Sequence, residues 1–225
     1  MSNHLHHEVE KLKDKILALT GVVKDAVQKA VRSVEELDPE LAQKVIEGDK
    51  KIDRTEVEIE EECLKLLALY QPVATDLRFI VAVLKINHDI ERIGDLAVNI
   101  AERTLYLSKF PPVLVPFNYS QMRTKALGML SESLDALMRH DAHSAREVRG
   151  SDNEVDDINR EMYAKISEAI RINPEQVELM LSYLSVSRQL ERIADSATNI
   201  AEDVIYLIEG HIVRHKKPMY PETDD

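Results

Sequence analysis

Glu91-Arg92-Ile93-Gly94-Asp95-Leu96-Ala97-Val98-Asn99-Ile100-Ala101-Glu102 returns one hundred positions later as Glu191-Arg192-Ile193-Ala194-Asp195-Ser196-Ala197-Thr198-Asn199-Ile200-Ala201-Glu202. Within this stretch only positions 94, 96 and 98 differ from their counterparts, and Leu84/Leu184, Tyr106/Tyr206 and Leu107/Leu207 extend the match. Self-similarity at a fixed period marks one supersecondary unit used twice. Packing alone requires only the apolar positions to recur. Here two carboxylates, an asparagine and a further glutamate recur with them.

Working outward, the punctuation divides the chain into six helical segments. Leu5, Val9, Leu12, Ile16, Leu19, Val23, Val27, Ala30 and Val34 form one apolar stripe, predicting a helix over 5–36. Asp38-Pro39-Glu40 supplies an N-cap, a proline suited to the first helical position and an early acid. The second helix runs to about Tyr70, Pro72 breaks it, and Thr75-Asp76 caps a third that reaches about Leu107. Asn118 with Gln121 resembles a capping box for a helix over about 119–139. Asp141 starts the fifth helix, and Asn173-Pro174-Glu175 repeats the earlier cap-proline-acid pattern to open the sixth, ending near Gly210. Short connections force antiparallel neighbours, and about 30 residues per helix give rods of roughly 45 Å.

The expected fold is therefore all-α: two three-helix bundles related by a pseudo-twofold. The first spans residues 1–109, the proline-rich connector 110–118, the second bundle 119–210 and a polar tail 211–225. Composition agrees, with 44% hydrophobic residues, 4% aromatic residues and only 6 glycines. A net charge of −12 argues against a nucleic-acid backbone as ligand and suits cationic partners. The single cysteine, Cys63, fits a packed thiol in a reducing compartment. No secretory signal or membrane-length apolar run is visible, so the expectation is a soluble cytoplasmic protein. His4, His6 and His7 read as a mobile terminus.

At about 100° per residue, Glu91, Asp95, Asn99 and Glu102 share one helical stripe, opposite Ile86, Ile90, Ile93, Ala97 and Ile100. Glu191, Asp195, Asn199 and Glu202 do the same in the second copy. A lone Glu-x-x-x-Asp reads as a solvated helix face. Its duplication points to a ligand site, because hard and borderline cations take carboxylate oxygens. Glu91, Asp95, Glu191 and Asp195 are the leading candidate ligands, with Asn99, Glu102, Asn199 and Glu202 behind them. Asp49/Asp53 and Asp152/Asp156 add a second tier from the preceding helices, suiting a cluster of several cations. Arg92 and Arg192, one residue along, offset part of the repulsion.

Other chemistry is absent. His88-x-x-Glu91 reverses the Glu-x-x-His order of di-iron bundles, and Arg188 replaces the histidine in the second copy. There is no Ser-His-Asp set, Gly-rich phosphate loop or Cys-x-x-Cys. The reading is not an enzyme. A metal-dependent enzyme or metal-storage bundle, and a metal-free helical scaffold, stand as alternatives.

The doubled Glu-Arg-Ile-x-Asp-x-x-x-Asn-Ile resembles the PhoU family of phosphate-uptake regulators. Gln71-Pro72-Val73-Ala74-Thr75-Asp76-Leu77-Arg78 resembles the stretch leading into that family's third helix, and the likeness covers essentially the whole chain. It implies a cytoplasmic adaptor that represses the phosphate-starvation response when phosphate is plentiful. The implied partners are the phosphate ABC transporter and the sensor histidine kinase of that regulon; a second copy of the chain is a separate candidate partner, which the residues do not decide. It further implies multinuclear metal clusters at Glu91/Asp95 and Glu191/Asp195, with iron, zinc, manganese or magnesium all open. Arg78 is a candidate partner or phosphate contact, against the plainer expectation of pairing with Asp76 or Glu60.

Overall fold

In the computed structural model, which describes residues 3–213, the chain forms six helices: α1 (Asn3–Glu36), α2 (Pro39–Tyr70), α3 (Ala74–Leu107), α4 (Ser120–Arg139), α5 (Ala142–Ile172) and α6 (Val177–Glu209). The architecture is all-α. Among the described residues there is no strand, and no helix is long and apolar enough to cross a membrane.

Local chemistry sets most boundaries. Asp38 accepts from the backbone N–H of Glu40 and Leu41 at 3.0 Å each, with Pro39 at the first helical position. Asp141 repeats this for α5, accepting from His143 N and Ser144 N at 3.0 and 3.1 Å and from the Ser144 hydroxyl at 2.7 Å. Those bonds hold its carboxyl below the usual range. Gly210 closes α6 in the left-handed region, φ 75°, where glycine carries no Cβ penalty.

Three boundaries differ from the sequence reading. The N-cap of α3 is Val73, with no side-chain bond, rather than Thr75-Asp76. Asn118 accepts from Ser120 N at 3.1 Å, but α4 starts at Ser120 and the reciprocal bond of a capping box is absent. Pro174–Gln176 forms a separate 3-10 turn before α6, because Asn173 offers no side-chain cap. The terminal histidines fall inside α1, whose register is set by buried Leu5 and Val9. Of the tail, residues 214–225 lie outside the described residues, whereas Val213 is buried.

α1, α2 and α3 pack on one another, as do α4, α5 and α6, and α3 lies along α6 at the centre. Ile86, Ile90, Ile93 and Ile100 of α3 and Val186, Leu190, Ile193 and Ile200 of α6 are fully buried in one continuous core. The sharing of that core was not readable from the pattern. Lys85 of α3 reaches across to the buried Asp203 carboxylate of α6. Ser33 and Thr104 hydroxyls meet at 2.8 Å between α1 and α3. The connector is anchored by Tyr119, whose hydroxyl donates to Tyr183 O at 2.7 Å.

Candidate metal centre

Two helix pairs, α2/α3 and α5/α6, carry the acids. In the first pair Asn87 Nδ2 donates to Glu56 O at 2.8 Å; in the second Ser187 Oγ donates to Asn159 Oδ1 at 2.9 Å. These matched contacts fix the register, since Ile52 and Ile59 are buried against α3 as Val155 and Met162 are against α6. An acid one residue from each buried position is thereby brought to the rim of the interhelical groove.

In the first strip, α2 contributes Asp49 and Asp53, and α3 contributes Glu91 and Asp95. Burial, then the charges of Asp53 and Asp95, push the Asp49 carboxyl up to about 6. Burial and Asp95 also raise Glu91, with Glu56 and Asp53 adding, while His88 opposes. His88 Nδ1 lies 3.7 Å from the Glu91 carboxylate. Asp49 Oδ1 is buried without a hydrogen-bond partner. A Cβ on Gly94 would stand 3.4 Å from that oxygen and 3.2 Å from two Ile52 carbons, so the missing side chain lets α2 approach α3 at this point.

The second strip pairs Asp152 and Asp156 of α5 with Glu191 and Asp195 of α6. Burial, then Asp195 and Asp156, push Asp152 up to about 6. The Thr198 hydroxyl is near it without reaching hydrogen-bond geometry. Glu191 and Asp195 are raised by burial and by their acidic neighbours, but here arginines oppose: Arg188 and Arg192 on Glu191, Arg92 and Arg192 on Asp195. Arg92 thus acts across the α3/α6 seam, and the group that opposes the shift of Glu91 is the His88 imidazole rather than an arginine.

The remaining sequence candidates are placed differently. Asn99 and Asn199 are half-buried and Glu102 is exposed, each further along its helix. Glu202 pairs with Arg149 of α5 at 3.1 Å, with both side chains nearly buried. Arg78 pairs with neither Asp76 nor Glu60. Its Nε donates to Leu207 O at 3.3 Å, meeting the negative end of α6. Burial pushes the Cys63 thiol up to about 12, as for an inert packed thiol. Glu56 was missed: its carboxyl is raised by burial and by Glu60, and it faces His88 and Asp53. Its signal was the three-residue step from Asp53, hidden among the many glutamates of α2.

The acids run as strips. Among the described residues, no three His, Cys, Asp or Glu side chains converge into one preformed ligand set. The orphaned Asp49 oxygen and the mutual repulsion within each strip are nonetheless what a cation relieves. An all-oxygen donor set suits a hard cation.

A model of the PhoU domain matches residues 16–104 and 119–204. The phosphate-specific transport system accessory protein PhoU homolog of Aquifex aeolicus is 37% identical over 212 residues, covering 94% of this chain and 96% of the relative. The Pseudomonas aeruginosa homolog is 37% identical, covering 96% of this chain and 89% of its own length. The crystal structure of PhoU from Pseudomonas aeruginosa superposes with a TM-score of 0.85 at 36% identity, covering 92% of this chain and 99% of that one. PhoU from Streptococcus pneumoniae, described as a phosphate transport system regulatory protein, gives 0.83 at 31% identity, covering 93% and 99%.

Proposed function

The chain belongs to the PhoU family, and from that membership we propose that it is a cytoplasmic regulator of phosphate uptake whose two acidic strips bind metal ions. It acts as an adaptor. When phosphate is plentiful it contacts the phosphate ABC transporter and the sensor histidine kinase, and so holds down transport and the starvation response. The observation that carries the metal reading is the buried, unpartnered Asp49 oxygen within a strip of mutually repelling acids.

Asp49, Asp53, Glu91 and Asp95 would hold cations in the first half, and Asp152, Asp156, Glu191 and Asp195 in the second. A bound ion supplies positive charge that cancels the repulsion within each strip. Iron, zinc, manganese and magnesium all accept such donors. The chain's own residues do the rest: Gly94 admits the close approach of α2, and the Asn87 and Ser187 contacts keep the acids in register. No catalytic group is proposed. The metal changes which charges the surface shows, and through that which partners dock.

The test is complementation. A strain lacking this chain and carrying a phosphate-starvation reporter is given the wild type or the Glu91→Gln/Asp95→Asn/Glu191→Gln/Asp195→Asn variant. Wild type is expected to restore repression in high phosphate and to co-purify with the transporter and kinase. A reporter indifferent to the wild-type chain overturns the regulator. Full repression by a metal-free variant overturns the metal's role and leaves a metal-free scaffold.

A further inference from the structure

On the face formed by α1 and α4 lies a cleft of about 430 Å³ whose charges are opposite to those of the whole chain. Lys24, Gln28 and Arg32 succeed one another at every fourth residue of α1, and Arg123, Thr124 and Ser131 face them from α4. Arg123 meets Glu35 at 3.5 Å while Lys24 meets Ser131 at 2.7 Å, so the two helices run antiparallel and close both ends of the cleft. Its lining holds three cations and no carboxylate, with Glu35 and Glu36 at the rim pairing Arg123 and Arg32, in a chain of net charge −12.

The donors are mostly unspent. Arg32 commits Nε to Glu36 at 2.8 Å, and Arg123 commits one Nη to Glu35, so each guanidinium keeps further N–H groups. Lys24 gives one of three ammonium protons to Ser131. Gly128 sits in the lining, in mid-helix, with nothing within 4 Å of where its Cβ would be. A helical glycine costs about 1 kcal/mol relative to alanine. No turn or close contact accounts for it here, and its effect is to leave the cleft open.

We infer that the α1/α4 cleft binds a phosphoryl oxyanion between Lys24, Arg32 and Arg123. Arginine forks and a lysine point charge match tetrahedral oxyanions, and the reach from Lys24 to Arg32, about 12 Å along the helix, accommodates one phosphate or a short phosphoanhydride chain. The choice of phosphate as ligand rests on the regulator reading above; the cationic cleft does not.

The test is calorimetric titration of the full chain with inorganic phosphate and, separately, tripolyphosphate, at constant ionic strength set with sodium chloride. Saturable binding of either is expected, and the arm that binds tighter identifies the source. Lys24→Gln/Arg123→Gln should weaken it about ten-fold or more. Gly128→Leu should raise the melting temperature while abolishing binding, separating occlusion from misfolding. No binding in either arm, or binding unchanged in both variants, overturns the site. The starvation reporter is scored alongside: a chain that represses without binding loses the cleft and keeps the regulator, and one that binds without repressing does the reverse.

Discussion

The two carboxylate strips are one design used twice, yet their electrostatics differ. Asp49, Asp53, Glu91 and Asp95 have matching acids in Asp152, Asp156, Glu191 and Asp195. Around them, Glu56 is replaced by Asn159, His88 by Arg188 and Gly94 by Ala194. The first strip therefore has an extra acid and only His88 opposing Glu91, whereas arginines reach both α6 acids of the second. Arginine damps repulsion at neutral pH but also repels an incoming cation. Duplicated carboxylates therefore do not sit in duplicated fields, and if the strips bind cations the first should fill before the second.

The largest effect is expected from metal itself. A cation at one hundred times its dissociation constant stabilises the fold by about 2.7 kcal/mol, a rise of roughly 5–10 °C in melting temperature for a chain of this length. Asp49→Asn/Asp95→Asn should lose most of that rise at limiting metal, and Asp152→Asn/Asp195→Asn much less. Equal losses in scanning calorimetry would break the asymmetry.

Next comes the Glu102/Glu202 contrast. Arg149→Gln removes the guanidinium that pairs with Glu202, whose side chain is 11% exposed, and should cost about 2–3 kcal/mol in denaturant melts. Glu102→Gln on the exposed counterpart should stay within about 0.5 kcal/mol. Similar costs would show that the ion pair contributes no difference between the halves.

The pH dependence is smaller. Asp49 and Asp152 bind a proton more tightly folded, at about 6, than at the ordinary 3.8. Their contribution to the stability of the metal-free chain is thus fullest below 3.8 and is lost as pH rises through about 6. Because both are partly solvated, Asp49→Asn should match wild type near pH 4 and exceed it by about 1 kcal/mol at pH 7. A variant less stable than wild type at pH 7, without metal, would contradict the repulsion argument.

Smallest is the glycine exchange. Ala194→Gly should cost about 1 kcal/mol of helix propensity and packing. Gly94→Ala should change stability by under about 0.5 kcal/mol, because the propensity gained is spent against the Ile52 contacts at 3.2 Å. Mirror-image effects of equal size would mean that α2 does not press on α3 at this point.

Much of this was legible because it is local. Asp38 and Asp141 cap the helices they precede, and the isoleucine stripe of α3 is buried as its period requires. Asn173-Pro174-Glu175 looked like Asp38-Pro39-Glu40 but makes a 3-10 turn, since the cap depends on a side-chain bond that spacing does not reveal. Arg78 reaches Leu207, 129 residues away, where sequence neighbours suggested a nearby acid. The α1/α4 cleft was invisible for the same reason. Its cations are scattered over two helices on opposite sides of the connector, and only the antiparallel packing brings them together.

Whether the strips bind metal is decided by metal content per chain, measured by elemental analysis of untagged protein at limiting and saturating metal, for wild type and for the Asp49→Asn/Asp95→Asn and Asp152→Asn/Asp195→Asn variants. Bound metal is expected in wild type, with a first equivalent that disappears with the α2/α3 variant and later equivalents that disappear with the α5/α6 variant. Metal absent from wild type at saturation, or retained undiminished in both variants, would contradict it.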